Sequence, residues 1–192
     1  MFKDYLYIDI INMIGIDMKF DKDKELEEIK RLYSEYSKTW EDEEYDKICS
    51  FNDKYLNEYC DYLEKVKHLS EKIIDRHYSH VSFFLNEHLT RYLNDTVFSP
   101  SGSLEDFFGY FLIYKCYSSK SYITTSCTCI SSFYKFMSEK GYVETKEYEK
   151  VVMMIKDGKE RWIEELWDYE NGCDERTLFY NSLEEGEDNY DN

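Results

Sequence analysis

Apolar positions recur every three or four residues along most of the chain, the spacing of helices that bury one face. The clearest stretch is 121–143, SYITTSCTCISSFYKFMSEKGYV, where Ile123, Cys127, Ile130, Phe133, Tyr134 and Met137 share one side. Ser121 is placed to cap its start. Gly141, just after Lys140, is placed to take the left-handed conformation that ends a helix. Upstream, Leu26, Ile29, Leu32 or Tyr33, Tyr36 and Trp40 predict a helix over 24–40. Tyr45, Ile48, Tyr55 or Leu56, Tyr59, Tyr62 or Leu63 and Val66 predict a second over 43–67. Ser70 caps a third over 71–93, with Ile74, His77 or Tyr78, Val81, Phe84 or Leu85, His88 or Leu89, and Tyr92 facing inward.

The single proline, Pro100, marks 94–102 as a loop. Ser103 and Asp106 have the spacing of a capping box and open a strongly apolar helix to about Tyr117. Thr145 caps a helix to about Asp157, which Gly158 ends, and 159–170 form a further helix carrying Trp162, Leu166 and Trp167. Residues 1–20 read as a short helix, and 184–192 as a disordered acidic tail. The pattern therefore predicts an all-α, compact helical bundle in three segments. These are an acidic N-terminal helical extension over 1–54, a helical domain over 55–158, and a C-terminal helix with its tail over 159–192.

Composition sharpens this picture at one point. The chain of 192 residues contains no Ala and no Gln, so where helices approach closely Ser, Thr, Gly and Cys must serve as the small residue. With 20 Tyr and 12 Phe, the core is made of large rings, many of them tyrosines with the ring inside and the hydroxyl in water. No apolar run reaches membrane-spanning length, and the patch over 5–16 is broken by Asp9 and lacks a basic leader. A cytoplasmic chain with six reduced thiols is the expectation.

The net charge of −17 is unevenly spread. Residues 65–160 carry 13 Lys and Arg against 12 Asp and Glu, whereas 1–64 carry 9 against 18 and 161–192 carry 2 against 11. The middle is close to neutral and the acidity lies at the two ends, so any nucleic-acid contact has to come from the middle. The candidate cations there are Lys65, Lys67, Lys72 and Arg76, joined by Lys115, Lys120, Lys135 and Lys140 if the helices fold together. Such side chains would hold phosphates without reading bases.

Candidate chemistry is sparse. His77 and His80 sit at i, i+3, close enough to share a metal, but His88 lies two turns further on and no second ligand pair follows at finger or ribbon spacing. Cys127 and Cys129 point to different sides of a helix and read as small residues at a tight contact. There is no nucleophile elbow, phosphate loop or zinc-protease motif, so neither a catalytic residue, a metal site nor a cofactor is expected. Trp162, Leu166 and Trp167 form an apolar stripe in an acidic segment, which either docks on the core or serves as a protein interface.

Two segments carry a likeness. LSEKIIDRHYSHVSFFLN, beginning at Leu69, and YITTSCTCISSFYKFMSEKGYV, beginning at Tyr122, resemble helices of the N-terminal core-binding (SAM-like) domain of tyrosine recombinases and phage integrases. The resemblance covers about 55–156. It implies a four- or five-helix domain that clamps one side of a DNA duplex. The family's catalytic domain has no counterpart after Glu170, so recombinase activity is not implied. His88-Leu-Thr-Arg91 spells the family's catalytic H-x-x-R, but inside the wrong domain. The expected function is thus a non-catalytic helical binding module, with a protein partner or self-association as the first expectation and DNA association through 65–160 as the alternative.

Overall fold

The computed structural model describes residues 20–173, and these residues are helical with no strand among them. The helices are α1 (Lys22–Thr39), α2 (Asp42–Lys65), α3 (Glu71–Ser82, continuing as π-helix through Phe83–Leu93), α4 (Leu104–Asp106, continuing as π-helix through Phe107–Lys115), α5 (Lys120–Glu139) and α6 (Thr145–Glu170). A 3₁₀ turn, Pro100–Ser103, leads into α4. None of the helices is long and apolar enough to cross a membrane. The expectations for 1–19, and for a disordered tail over 184–192, lie outside the described residues.

Helix α5 is the axle. It packs on α3 along one side, on α6 along the other, and touches α2. Both flanks are therefore buried: Ile123, Ile130, Phe133, Tyr134, Phe136 and Met137 supply bulk, while Ser126, Cys127 and Cys129 supply the small surfaces where neighbours come close. The helices beginning near Ser70 and Ser121 thus lie against each other, as the pattern requires. The contact of His80 with Ser126 runs through this seam, and Tyr59 of α2 packs on Phe133 beside it. Helix α1 packs on α2, and α4 packs on α6 and α3.

The end of α5 is chemically explicit. Gly141 has φ of 75°, the Gly141 amide donates to Ser138 and the Tyr142 amide donates to Met137, which together make a Schellman turn. The start differs from expectation. Ser119, not Ser121, is the cap, accepting from the Tyr122 amide at 3.2 Å. The capping box at Ser103 and Asp106 does not form either. Ser103 donates to Asp95, Asp106 binds His88, and the preceding 3₁₀ turn already holds Ser103 in a helical conformation.

The largest departure is α6, one helix of 26 residues that runs straight through Gly158. That glycine is a packing device. A Cβ built on it would lie 2.3 Å from Cζ2 and 2.6 Å from Cε2 of Trp162, one turn on. The fully buried Trp162 lies flat on Phe108 at 4.6 Å, with Gly109 at its edge and its indole N–H directed at the Glu105 carboxylate. Arg161 clamps the same carboxylate with two hydrogen bonds of 2.7 and 2.8 Å and also holds Glu165. Of the expected segment boundaries, 54/55 falls inside α2 and 158/159 inside α6. Ile29, Leu32, Tyr45 and Ile48 belong to the same core as α5, so 22–54 is an integral part of the bundle.

Candidate functional site

The buried polar groups are spent on holding helices together. His77 meets the Tyr59 hydroxyl at 2.8 Å, His80 meets Ser126 at 2.7 Å, and His88 meets Asp106 at 2.8 Å. Burial holds all three imidazoles below their ordinary pKa, which keeps them neutral. His88 and Arg91 diverge: the ring of His88 lies among Phe84, Phe107 and Phe111, while Arg91 crosses the Tyr45 ring at 4.2 Å. Among the described residues, no three His, Cys, Asp or Glu side chains are grouped so as to hold a metal.

The eight candidate cations are divided. Lys65 pairs with Asp61 at 2.7 Å, Lys140 with Glu58 at 2.7 Å, and Lys135 with Glu139 at 3.8 Å. Lys67 lies over the Tyr62 ring and Lys115 over Tyr110. Lys72 and Arg76 stay exposed on α3, with the Arg76 charge felt at Cys129 of α5. Lys120 opens α5, 15 residues before Lys135, or about 22 Å along the helix. Glu58, Asp61 and Glu139 interleave with the lysines at one end of this array.

The stripe on α6 is also divided. Trp162 and Leu166 are inside the fold at 0% and 2% exposure, which removes them from any surface, whereas Trp167 is 58% exposed. The reason is the helical turn: positions 162 and 166 face α4, and 167 points 100° away.

What the sequence pattern does not show is the surface that forms around Tyr169. The 107–114 run of α4 is uncharged all round, so its outer side carries Tyr110 and Tyr114, half-buried and 5.6 Å apart. Tyr114 contacts Tyr169 at 5.0 Å, and Tyr169 contacts Tyr117 at 6.2 Å. Tyr92 from the end of α3 packs on Phe111 at 5.0 Å and stands close enough to Tyr110 for their hydroxyls to interact. A connected tyrosine surface results, built from the ends of α3, α4 and α6. Tyr117 is its most exposed member at 72%, and it holds a left-handed backbone with φ of 50°. For a residue with a Cβ that conformation costs about 1–2 kcal/mol.

Lys115, over the Tyr110 ring, is a cation within this surface, and carboxylates lie at its α6 edge. The last turns of α6 carry Glu164, Asp168 and Glu170 and no basic residue in the final turn, so carboxylates add to the partial negative charge of the helix C-terminus. Asp106, tied to His88, lies near Tyr92. The signal for it in the sequence is Tyr110 and Tyr114 in an otherwise buried apolar helix and Tyr117 just beyond its end, with Tyr114 and Tyr117 against Tyr169 in an acidic turn. No known protein-family model, curated protein or solved structure matches this chain.

Proposed function

We propose that the protein is a non-catalytic helical binding module that takes a cationic segment of a protein partner across the tyrosine surface of α4 and the end of α6. The supporting observation is Tyr117, displayed to solvent in a backbone conformation that glycine would adopt without cost, within a chain of tyrosine rings. Exposed tyrosines offer rigid ring area with little entropy to lose, and their faces attract ammonium and guanidinium groups. The carboxylates at the end of α6 add attraction for the same charge. Lys115 over Tyr110 and Arg91 over Tyr45 are internal instances of this contact.

The test is a fluorescence-anisotropy titration of the full chain against a labelled Arg- and Lys-rich 12-residue peptide, with an acidic peptide and a 20-base-pair duplex as the other arms. The expected result is a salt-sensitive affinity for the basic peptide of about 10 µM, weakened about fivefold or more by Tyr117→Gly with the melting temperature unchanged or raised. Duplex binding that persists in Tyr117→Gly would favour the alternative of DNA association through Lys72, Arg76 and their neighbours. Equal affinity for the basic and acidic peptides, or an unaffected Tyr117→Gly variant, overturns the proposal.

A further inference from the structure

A second surface feature lies between α5 and α6, a groove of about 400 Å³ lined by Cys127, Thr128, Ser131, Ser132, Lys135, Tyr148, Ile155 and Lys159. Its volume is in the range of small-ligand sites. None of its lining residues is acidic, in a chain with 41 Asp and Glu against 24 Lys and Arg. The groove between α1 and α2 is the contrast, since Glu28, Glu35, Glu43 and Asp46 line it beside its cations.

Lys159 is the informative residue. It is half-buried, and it makes no ion pair with any of the described residues. A lysine with its stem packed and no carboxylate at its ammonium group can offer that charge to an anion from outside the chain. The charge of Lys159 reaches Cys127 at one end of the groove, although burial still drives that thiol up to about 12. At the other end Lys135 makes only a loose contact of 3.8 Å to Glu139 and stays about half exposed. The exposed Thr128 and the half-buried Ser131 and Ser132 lie between them along α5, and Tyr148 with Ile155 lines the α6 side.

We propose that this groove binds a small ligand carrying two or more phosphate-type anionic groups, with Lys159 and Lys135 holding its two ends. Position 127, beside Lys159, and position 135 are eight residues apart, about 12 Å of helix rise, a separation that a ligand with anionic groups at both ends spans better than a single phosphate does. The Ser131 hydroxyl supplies a donor to the oxygens between the lysines, while Ser132 is engaged by Tyr59 of α2, and Lys serves as a point charge to each end. The site shares no residue with the tyrosine surface and stands or falls independently of it.

Isothermal titration of the full chain with sodium tripolyphosphate tests the proposal. One-to-one binding with Kd below about 100 µM at low salt is expected. Lys159→Met should weaken it about tenfold or more and Lys135→Met about threefold or more, the methionine keeping the apolar stem that packs on the groove. Lys156→Met removes the same charge from a position outside the groove and should change Kd less than about twofold. Ser131→Leu, which fills the groove without touching either ammonium group, should abolish the heat of binding and covers the case in which a lysine variant fails to fold. Absence of binding at about 1 mM, or an equal loss in Lys156→Met and Lys159→Met, overturns the proposal. So does Lys159-dependent binding of a DNA duplex that is tighter than that of tripolyphosphate.

Discussion

Gly158→Ala offers a direct test of the packing at the α4–α6 seam, because two effects of opposite sign meet at one atom. In an exposed helix interior, Ala is better than Gly by about 0.8–1.0 kcal/mol. Here the added Cβ would sit 2.3, 2.6 and 2.7 Å from three carbons of the Trp162 indole. The indole has little room to retreat, with Phe108 stacked on it at 4.6 Å, Gly109 close to Cδ1 and Glu105 holding the ring N–H. Forcing a methyl group into a filled site costs about 1–3 kcal/mol. Expelling the indole would forfeit packing of the kind whose loss in Trp→Ala costs about 3–5 kcal/mol. An overlap this close puts the steric cost in the upper part of that range, so after subtracting the propensity gain the expected net loss is about 1–2 kcal/mol, or about 2–8 °C in Tm for a chain of this size. Urea and thermal denaturation followed by near-ultraviolet circular dichroism measure it. In a Trp162→Leu background the obstruction is gone, and the same substitution should become neutral or stabilising by up to about 1 kcal/mol. A Gly158→Ala protein as stable as wild type, or more so, would refute the account of why α6 tolerates this glycine.

Two further outcomes follow from buried groups. Burial sets the folded-state pKa of His77, His80 and His88 below the unfolded value of 6.5, so their contribution is fully present above about pH 6.5 and is lost as pH falls toward the lower folded values. Denaturation midpoints should therefore drop between pH 7 and pH 5, and His88→Phe, which keeps the ring among Phe84, Phe107 and Phe111, should flatten that slope; an unchanged slope would assign it elsewhere. Burial also raises the thiols of Cys129 and Cys60 to about 11, whereas Cys173 is exposed, so iodoacetamide at pH 8 should label Cys173 first and Cys127 and Cys129 only on unfolding. Mass mapping of early labelling at position 127 or 129 would contradict the packing of α5.

The helices were legible where backbone chemistry was local. The Schellman turn at Gly141 needs only a glycine after a periodic run, and the run over 121–137 needs only its spacing. Gly158 was misread because a glycine in a helical pattern usually signals an end, while its actual partner is a ring one turn later. The pair Gly158 and Trp162 at i, i+4 was the available hint. Ser103 and Asp106 carry the right letters for a cap, but their side chains are claimed by Asp95 and by His88, residues that only the folded chain brings near.

The π-helical run after Ser82 defeats any 3.6-residue count. Thr90 is fully buried and bonds the Leu85 carbonyl five residues back, while Tyr92, expected inside, is turned to the surface. That rotation is what delivers Tyr92 to the tyrosine surface, and no local pattern announces it. The candidate cations belong to the near-neutral middle region. Their neutralisation by Glu58, Asp61 and Glu139 depends on neighbours within a helix turn and across helices, which a sum of charges does not resolve.

The placement of the three tryptophans gives the molecule a built-in optical gauge. Trp162 is sealed between Phe108 and Gly158, while Trp40 and Trp167 stand 62% and 58% in solvent. Emission from intact protein therefore divides into a blue component shielded from iodide and a red component open to it. Loss of the shielded fraction reports the opening of the α4–α6 seam alone, and the accessible fraction is left to sense whatever settles on the outer surface.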